Sequence, residues 1–228
     1  MFADRLKANY LNNPVGITPG KVMLTWIPTE GKVQTAYKIR ICQDSQLVYD
    51  SGIVYSAQNA CQPDFICKSR TRYNWDITLW NENNIQGELS TGHFETGISA
   101  EDWIAQWIDP EVVQPEYAMR ATDGTPLNKA SYLRKFFSIT DFHKARLYIT
   151  AHGVYDVYLN GQHIDGYFMA PGTSDYDHRI QVQTYDVGTM LQPGENEILV
   201  TIGEGWWRGS HGWSMFRYCY GTDLALLC

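Results

Sequence analysis

A chain of 228 residues is long enough for one large β-domain or two smaller ones, each with a real core. With 44% hydrophobic and 19% charged residues the composition is that of a globular protein, not a disordered one. A formal net charge of −7 with scattered basic residues argues against nucleic acid, whose phosphates reward clustered Lys and Arg.

The N-terminal stretch MFADRLKANYLNNPVG lacks the apolar core of a signal peptide, and no run is long enough to cross a bilayer. The chain therefore reads as cytoplasmic, with no membrane partner. Cys42, Cys61, Cys67, Cys219 and Cys228 are odd in number and not spaced for zinc, so reduced thiols are expected. Cys42 is expected in a strand core.

The first hundred residues carry repeated strand signals. Val22–Trp26, Ala36–Ile41 and Tyr73–Trp80 read as strands; in the last two, apolar and polar residues alternate at period two. Turn chemistry separates them at Pro28–Gly31, Asp50–Gly52 and Asn81–Asn84. Short strands divided by turns predict a β-sandwich of the immunoglobulin or fibronectin type over 1–98. KSRTR (Lys68–Arg72), the one dense basic group, reads as a solvated loop.

A short helix is expected at Ser99–Trp107, capped by Ser99, with Glu101 and Asp102 in its first turn and Pro110 beyond its end. Pro115–Lys129 reads as a loop; its ATDGTPLN lacks the acidic spacing of a calcium site. Residues 99–131 are thus a helix and linker. From 132 to 228 the strand signals return: YLRKFFSI, ARLYITAHGVYDVYLNGQHI, RIQVQTYDV and NEILVTIG, with a hairpin turn at Asn160-Gly161. This second all-β domain reads as a jelly roll. The chain ends on LALLC, which reads as a cut within or beside a strand, so an incomplete jelly roll and an N-terminal fragment are expected.

Eleven motifs in order resemble the N-terminal region of bacterial α-L-rhamnosidases, glycoside hydrolase family 78. They are NPVGI, QTAYKIRI, YDSGIVYS, YNWDITLWN, FETGI, DWIAQWI, LRKFF, ARLYITAHGVYDVYLNG, MAPGTSDYDHRI, TYDVGTMLQPGENEI and GEGWWRG. The resemblance implies a fibronectin-like module followed by the family's N-terminal jelly-roll domain. It also implies a parent enzyme that removes terminal α-linked L-rhamnose with inversion, through carboxylates in a helical barrel downstream. That barrel is the implied partner, with rhamnosyl glycosides as the implied ligands. No long 3.6-period pattern here supplies such a barrel, so this chain is expected to be non-catalytic.

Inversion needs two carboxyl groups roughly 6.5–9.5 Å apart. Asp175 and Asp177, beside His178, are the most suggestive pair. Read on one strand they would stay locked at about 6.5–7 Å with nothing to hold a substrate between them. A polar loop entering a strand is the preferred reading. Nucleophile elbows, zinc-protease motifs and phosphate loops are absent from the sequence, and His143, His152, His163, His178 and His211 are too dispersed to argue a metal site. No cofactor, metal ion or catalytic residue is expected.

The richest stretch is GEGWWRGSHGW, Gly203–Trp213. Trp206, Trp207 or Trp213 could stack on a sugar ring, with Arg208 and His211 donating to hydroxyls. The same residues suit an interface core against a further domain, or the interior of the jelly roll. Read as a strand, Trp206 and Trp207 point to opposite faces, one buried and one exposed. Asn160 is a further sugar-contact candidate, although most Asn-Gly pairs are turns and nothing more.

Overall fold

A computed structural model describes residues 1–31, 33–110, 119–120, 126–127, 129–211 and 217–228. The chain divides into two compact units, Met1–Trp103 and Ile104–Cys228.

The first unit holds eight strands: β1 (Phe2–Ala8), β2 (Val15–Ile17), β3 (Leu24–Thr29), β4 (Gln34–Gln43), β5 (Gln46–Asp50), β6 (Ala60–Cys61), β7 (Arg72–Asn81) and β8 (Ser90–Thr96). They form a three-stranded sheet, β1-β3-β6, and a five-stranded one, β2-β8-β7-β4-β5. All pairings are antiparallel except β2 with β8. Period-two alternation turns one face of each strand inward, so Leu24, Trp26, Ile39, Ile41, Ile77, Leu79 and Phe94 fill the core. The register slips between Gln34 and Ala36, which buries the adjacent residues Ala36 and Tyr37 together. Buried Gln34 is satisfied: its carbonyl accepts from Trp26 Nε1 at 2.8 Å, and its amide donates to Ser56 and Gln58. The predicted strands at Ala36–Ile41 and Tyr73–Trp80 lie inside β4 and β7, and KSRTR precedes β7 as a loop. Cys42 is half-buried in β4, whereas Cys67 is the buried thiol, its pKa pushed up to about 12 by burial. β1 carries no clean alternation, because Arg5 takes a positive φ of 48° where the pairing with β3 slips.

The expected helix at Ser99–Trp107 is reduced to one 3₁₀ turn, Ala100–Asp102. Ser99 makes no side-chain cap, and its N–H donates to Ser69 Oγ instead. Asp102 is drawn to Ser69 and Arg70, which hold its carboxyl below the ordinary range. Trp103 is already extended, and Ile104 is 99% exposed, so no apolar helix face exists to be buried.

In the second unit, β9 (Met119–Arg120) and β10 (Pro126–Leu127) pair with each other. The expected linker loop Pro115–Lys129, with its ATDGTPLN, lies mostly outside the described residues. Then follow β11 (Ser131–Ile139), β12 (Arg146–His152), β13 (Val154–Leu159), β14 (Gln162–His163), β15 (Gln183–Asp186), β16 (Gly194–Gly203), a one-turn helix α1 (Gly205–Arg208) and β17 (Ala225–Leu227). Two antiparallel sheets result, β11-β16-β13-β14 and β15-β12-β17, over a core that includes Ile149, Val157, Val200, Ile202, Leu224 and Leu226. The second unit is thus a β-sandwich, as the jelly-roll reading requires. The strand expected at Arg179–Val187 is shorter, β15 beginning only at Gln183.

Asn160 and Gly161 turn β13 into β14 with φ of 51° and 77°, the left-handed pair a two-residue hairpin demands. The Asn160 amide is spent on the fold. Its Nδ2 donates to the Met190 carbonyl and to Asn196 Oδ1, and its Oδ1 accepts from the Glu197 N–H, each at 2.8 Å.

Candidate functional site

The Gly203–Trp213 stretch begins as the end of β16 and leaves it abruptly. Gly205 has φ 51°, and a Cβ there would lie 2.5 Å from Val154 Cγ1, so only glycine lets the chain turn this close to β13. Trp206 and Trp207 consequently stand on α1 and not on a strand. The expected opposition of one buried and one exposed indole gives way to two half-buried ones.

Trp207 is packed on every side that the described residues reveal. Its ring stacks on His152 at 3.8 Å between centroids and 5° between planes. Tyr176 meets it edge-on at 5.6 Å, and Tyr220 lies nearly parallel at 6.3 Å. Gly221 approaches so closely that a Cβ would fall 2.7 Å from Trp207 Cζ2. On its other face His152 is covered by Trp107, 4.1 Å away and inclined by 25°. Three rings, Trp107–His152–Trp207, thus form one stack, with Tyr176 and Tyr220 as flanking edges. Burial pushes the His152 pKa below the ordinary imidazole value, favouring a neutral ring. Trp107, at 43% exposure, is the outermost ring.

The polar candidates are partly occupied, with Arg208 Nε and Nη2 and Trp207 Nε1 buried without a hydrogen-bond partner among the described residues. Arg208 is buried at 5% exposure; its Nη1 donates to the Thr222 carbonyl at 2.8 Å, and Nε stands 3.4 Å from Glu204. Glu204 also pairs with Arg217. His211 Nε2 meets the Trp206 carbonyl, and its ring contacts Tyr220 edge-on at 5.9 Å. Trp207, Arg208 and His211 are therefore brought together, whereas Asn160 serves its hairpin. Trp213 lies outside the described residues. Trp107, His152, Tyr176 and Tyr220 were not singled out from sequence as members of this group. The faint signal was His152, the polar end of an otherwise buried strand run.

Asp175 and Asp177 lie on a loop, as preferred, and not on a strand. They sit in a turn in which the His178 N–H donates to the Asp175 carbonyl, and the side chains of Asp175 and His178 pair at 2.9 Å on the surface. The fixed spacing argued for a strand does not apply to them. A second surface group joins His163 to Asp156 and Asp165 at 2.5 and 2.8 Å, raising the His163 pKa. Among the described residues no cluster of three or more His, Cys, Asp or Glu could hold a metal ion, and no helix is long and apolar enough to cross a membrane.

Two family models match the chain in succession. Residues 3–100 match the Rha78A-like N-terminal immunoglobulin domain, and residues 140–228 match the alpha-L-rhamnosidase N-terminal domain. An alpha-L-rhamnosidase of Formosa agariphila is 32% identical over 95% of this chain and 25% of its own. One of Alteromonas sp. is 30% identical over 86% of this chain and 23% of its own. The solved alpha-L-rhamnosidase of Dictyoglumus thermophilum superposes with a TM-score of 0.82 at 27% identity, covering 99% of this chain and 27% of that one. The chain thus spans about a quarter of the length of the relatives it matches. It belongs to the α-L-rhamnosidase family, of which it carries the N-terminal region: an immunoglobulin-like domain followed by the rhamnosidase N-terminal domain.

Proposed function

We propose that this chain is the non-catalytic accessory region of an α-L-rhamnosidase, supporting a catalytic domain that hydrolyses terminal α-L-rhamnosyl linkages with inversion. The observation that carries this reading is how the polar and aromatic groups of Gly203–His211 are used. Trp207 lies between His152 and Gly221, Arg208 is buried on Thr222, and the acidic pair near His178 sits on an exposed turn. Among the described residues these groups pack against the fold, which supports a scaffold role for the stretch. The test is release of nitrophenol from an aryl α-L-rhamnoside by the purified chain. No turnover above the uncatalysed rate is expected; an enzymatic rate abolished by Asp175→Asn would overturn the reading.

A second reading, a rhamnose-binding module, is favoured by Trp107 alone, whose half-exposed ring is backed by His152. Tryptophan fluorescence titrated with L-rhamnose, with and without calcium, separates the two. Saturable binding lost in Trp107→Ala or Trp206→Ala supports the module; an unchanged spectrum at high sugar supports the scaffold.

A further inference from the structure

We propose that Asn160-Gly161 is a deamidation site that the folded second unit holds shut, so that loss of ammonia there marks a chain that has opened. It is the one Asn-Gly step in the sequence. Glycine leaves the attacking backbone nitrogen without a neighbouring side chain, and the surroundings do not shield it. Gly161 is exposed, and a Cβ added to it would meet nothing within 4 Å. Burial therefore does not protect the step; hydrogen bonding does. The Asn160 N–H donates to the Glu197 carbonyl, and the Glu197 N–H donates back to Asn160 Oδ1, each at 2.8 Å. Asn160 Nδ2 donates to the Met190 carbonyl and to Asn196 Oδ1, again at 2.8 Å. Asn196 is itself buried and fixed by bonds to Gln192 and Gly194.

The chemistry needs that clamp released. The Gly161 nitrogen, after losing its proton to hydroxide, forms a bond to Asn160 Cγ. The Cγ–Nδ2 bond then breaks, and Nδ2 takes a proton from water and leaves as ammonia. Water adds to either carbonyl of the cyclic imide and opens it to aspartate or isoaspartate, so one water is consumed for each ammonia released. For the first bond to form, the carboxamide must swing about χ1 and χ2, and its three bonds hold it to Met190, Asn196 and Glu197 instead. Nδ2 also faces two acceptors, neither of which can protonate it as it leaves. The product no longer fits the place it came from. A carboxylate has no hydrogen to give, so its oxygen would face the Met190 carbonyl and Asn196 Oδ1 without a bond to either. Isoaspartate lengthens the backbone of a two-residue hairpin and disturbs the β13–β14 register. Deamidation at Asn160 is thus a one-way record of unfolding in the second unit.

The test incubates the whole chain in mildly alkaline buffer, with and without urea, and follows Asn160 by peptide mass spectrometry. Three clamp bonds at their usual net worth make the folded chain deamidate here on the order of a hundredfold more slowly than the unfolded one. Asn196→Ala removes one of the three and speeds the reaction in the folded chain about fivefold. If that variant does not fold, the ratio for the unsubstituted chain still decides. Equal rates in the folded and unfolded chain, or a folded Asn196→Ala no faster than its parent, would overturn the proposal. Asn160→Asp, the chain that the reaction makes, shifts the folding equilibrium at least about tenfold toward the unfolded state in urea titration. Unchanged stability in that variant would overturn the one-way step.

Discussion

Asn160 is assigned here to the hairpin and not to a sugar, and Asn160→Ala tests the assignment. The substitution deletes three hydrogen bonds of 2.8 Å, to Met190, Asn196 and Glu197. At about 1 kcal/mol net for each, that loss is about 3 kcal/mol. Alanine must also keep the left-handed φ of 51°, which costs roughly 1 kcal/mol more. The total, about 4 kcal/mol, falls on the second unit, lowering its thermal midpoint by on the order of 12 °C. Asn160→Gly relieves the backbone strain but not the lost bonds, so it recovers only a small part. Urea unfolding followed by tryptophan fluorescence reads both variants. The reasoning is refuted if Asn160→Ala costs less than about 1 kcal/mol, or if it leaves stability intact while abolishing a response to rhamnose.

Trp207→Ala removes the inner end of the ring stack, where Tyr176 and Tyr220 also meet it, and should cost about 3 kcal/mol, at the low end for tryptophan truncation because the ring is half-buried. Trp107→Ala, at the outer end, should cost about 1 kcal/mol; equal costs in the same unfolding assay would contradict the stacking order. Two of the perturbed histidines, His163 and His152, give opposite pH dependence. His163, raised by its bonds to Asp156 and then Asp165, contributes stability that is fully present below about pH 6.5 and lost as pH rises through its higher folded value. An NMR titration should place its midpoint above that of a free imidazole, and Asp156→Asn should bring it down. His152, lowered by burial, contributes the reverse: stability present above about pH 6.5 and lost as pH falls toward its lower folded value. His152→Phe keeps the stack and should flatten the acid limb of the stability profile; an unchanged limb would show that His152 does not produce it.

Much of the fold was legible along the chain. The alternation in QTAYKIRI and YNWDITLWN shows on paper which side chains meet, because neighbours two apart share a sheet face whatever the strand pairs with. Asn160-Gly161 was equally readable, since few residue pairs tolerate two successive positive φ angles. β1 escaped because its bulge at Arg5 interrupts the period. Ser99–Trp107 misled because its caps and acidic first turn are local signals, and nothing buries the helix face they imply.

The candidate site was legible only as a composition. That Gly203–Trp213 concentrates aromatic and polar groups is a property of the sequence, and so are the motifs that place the chain among α-L-rhamnosidases. Which groups touch was decided by tertiary structure. Trp107, His152 and Trp207 come from three distant segments, and the Gly205 turn against Val154 swings Trp207 off the strand into the stack. Local sequence sets the backbone's preferences over a few residues, whereas ring stacking and burial depend on which segments the two sheets bring face to face.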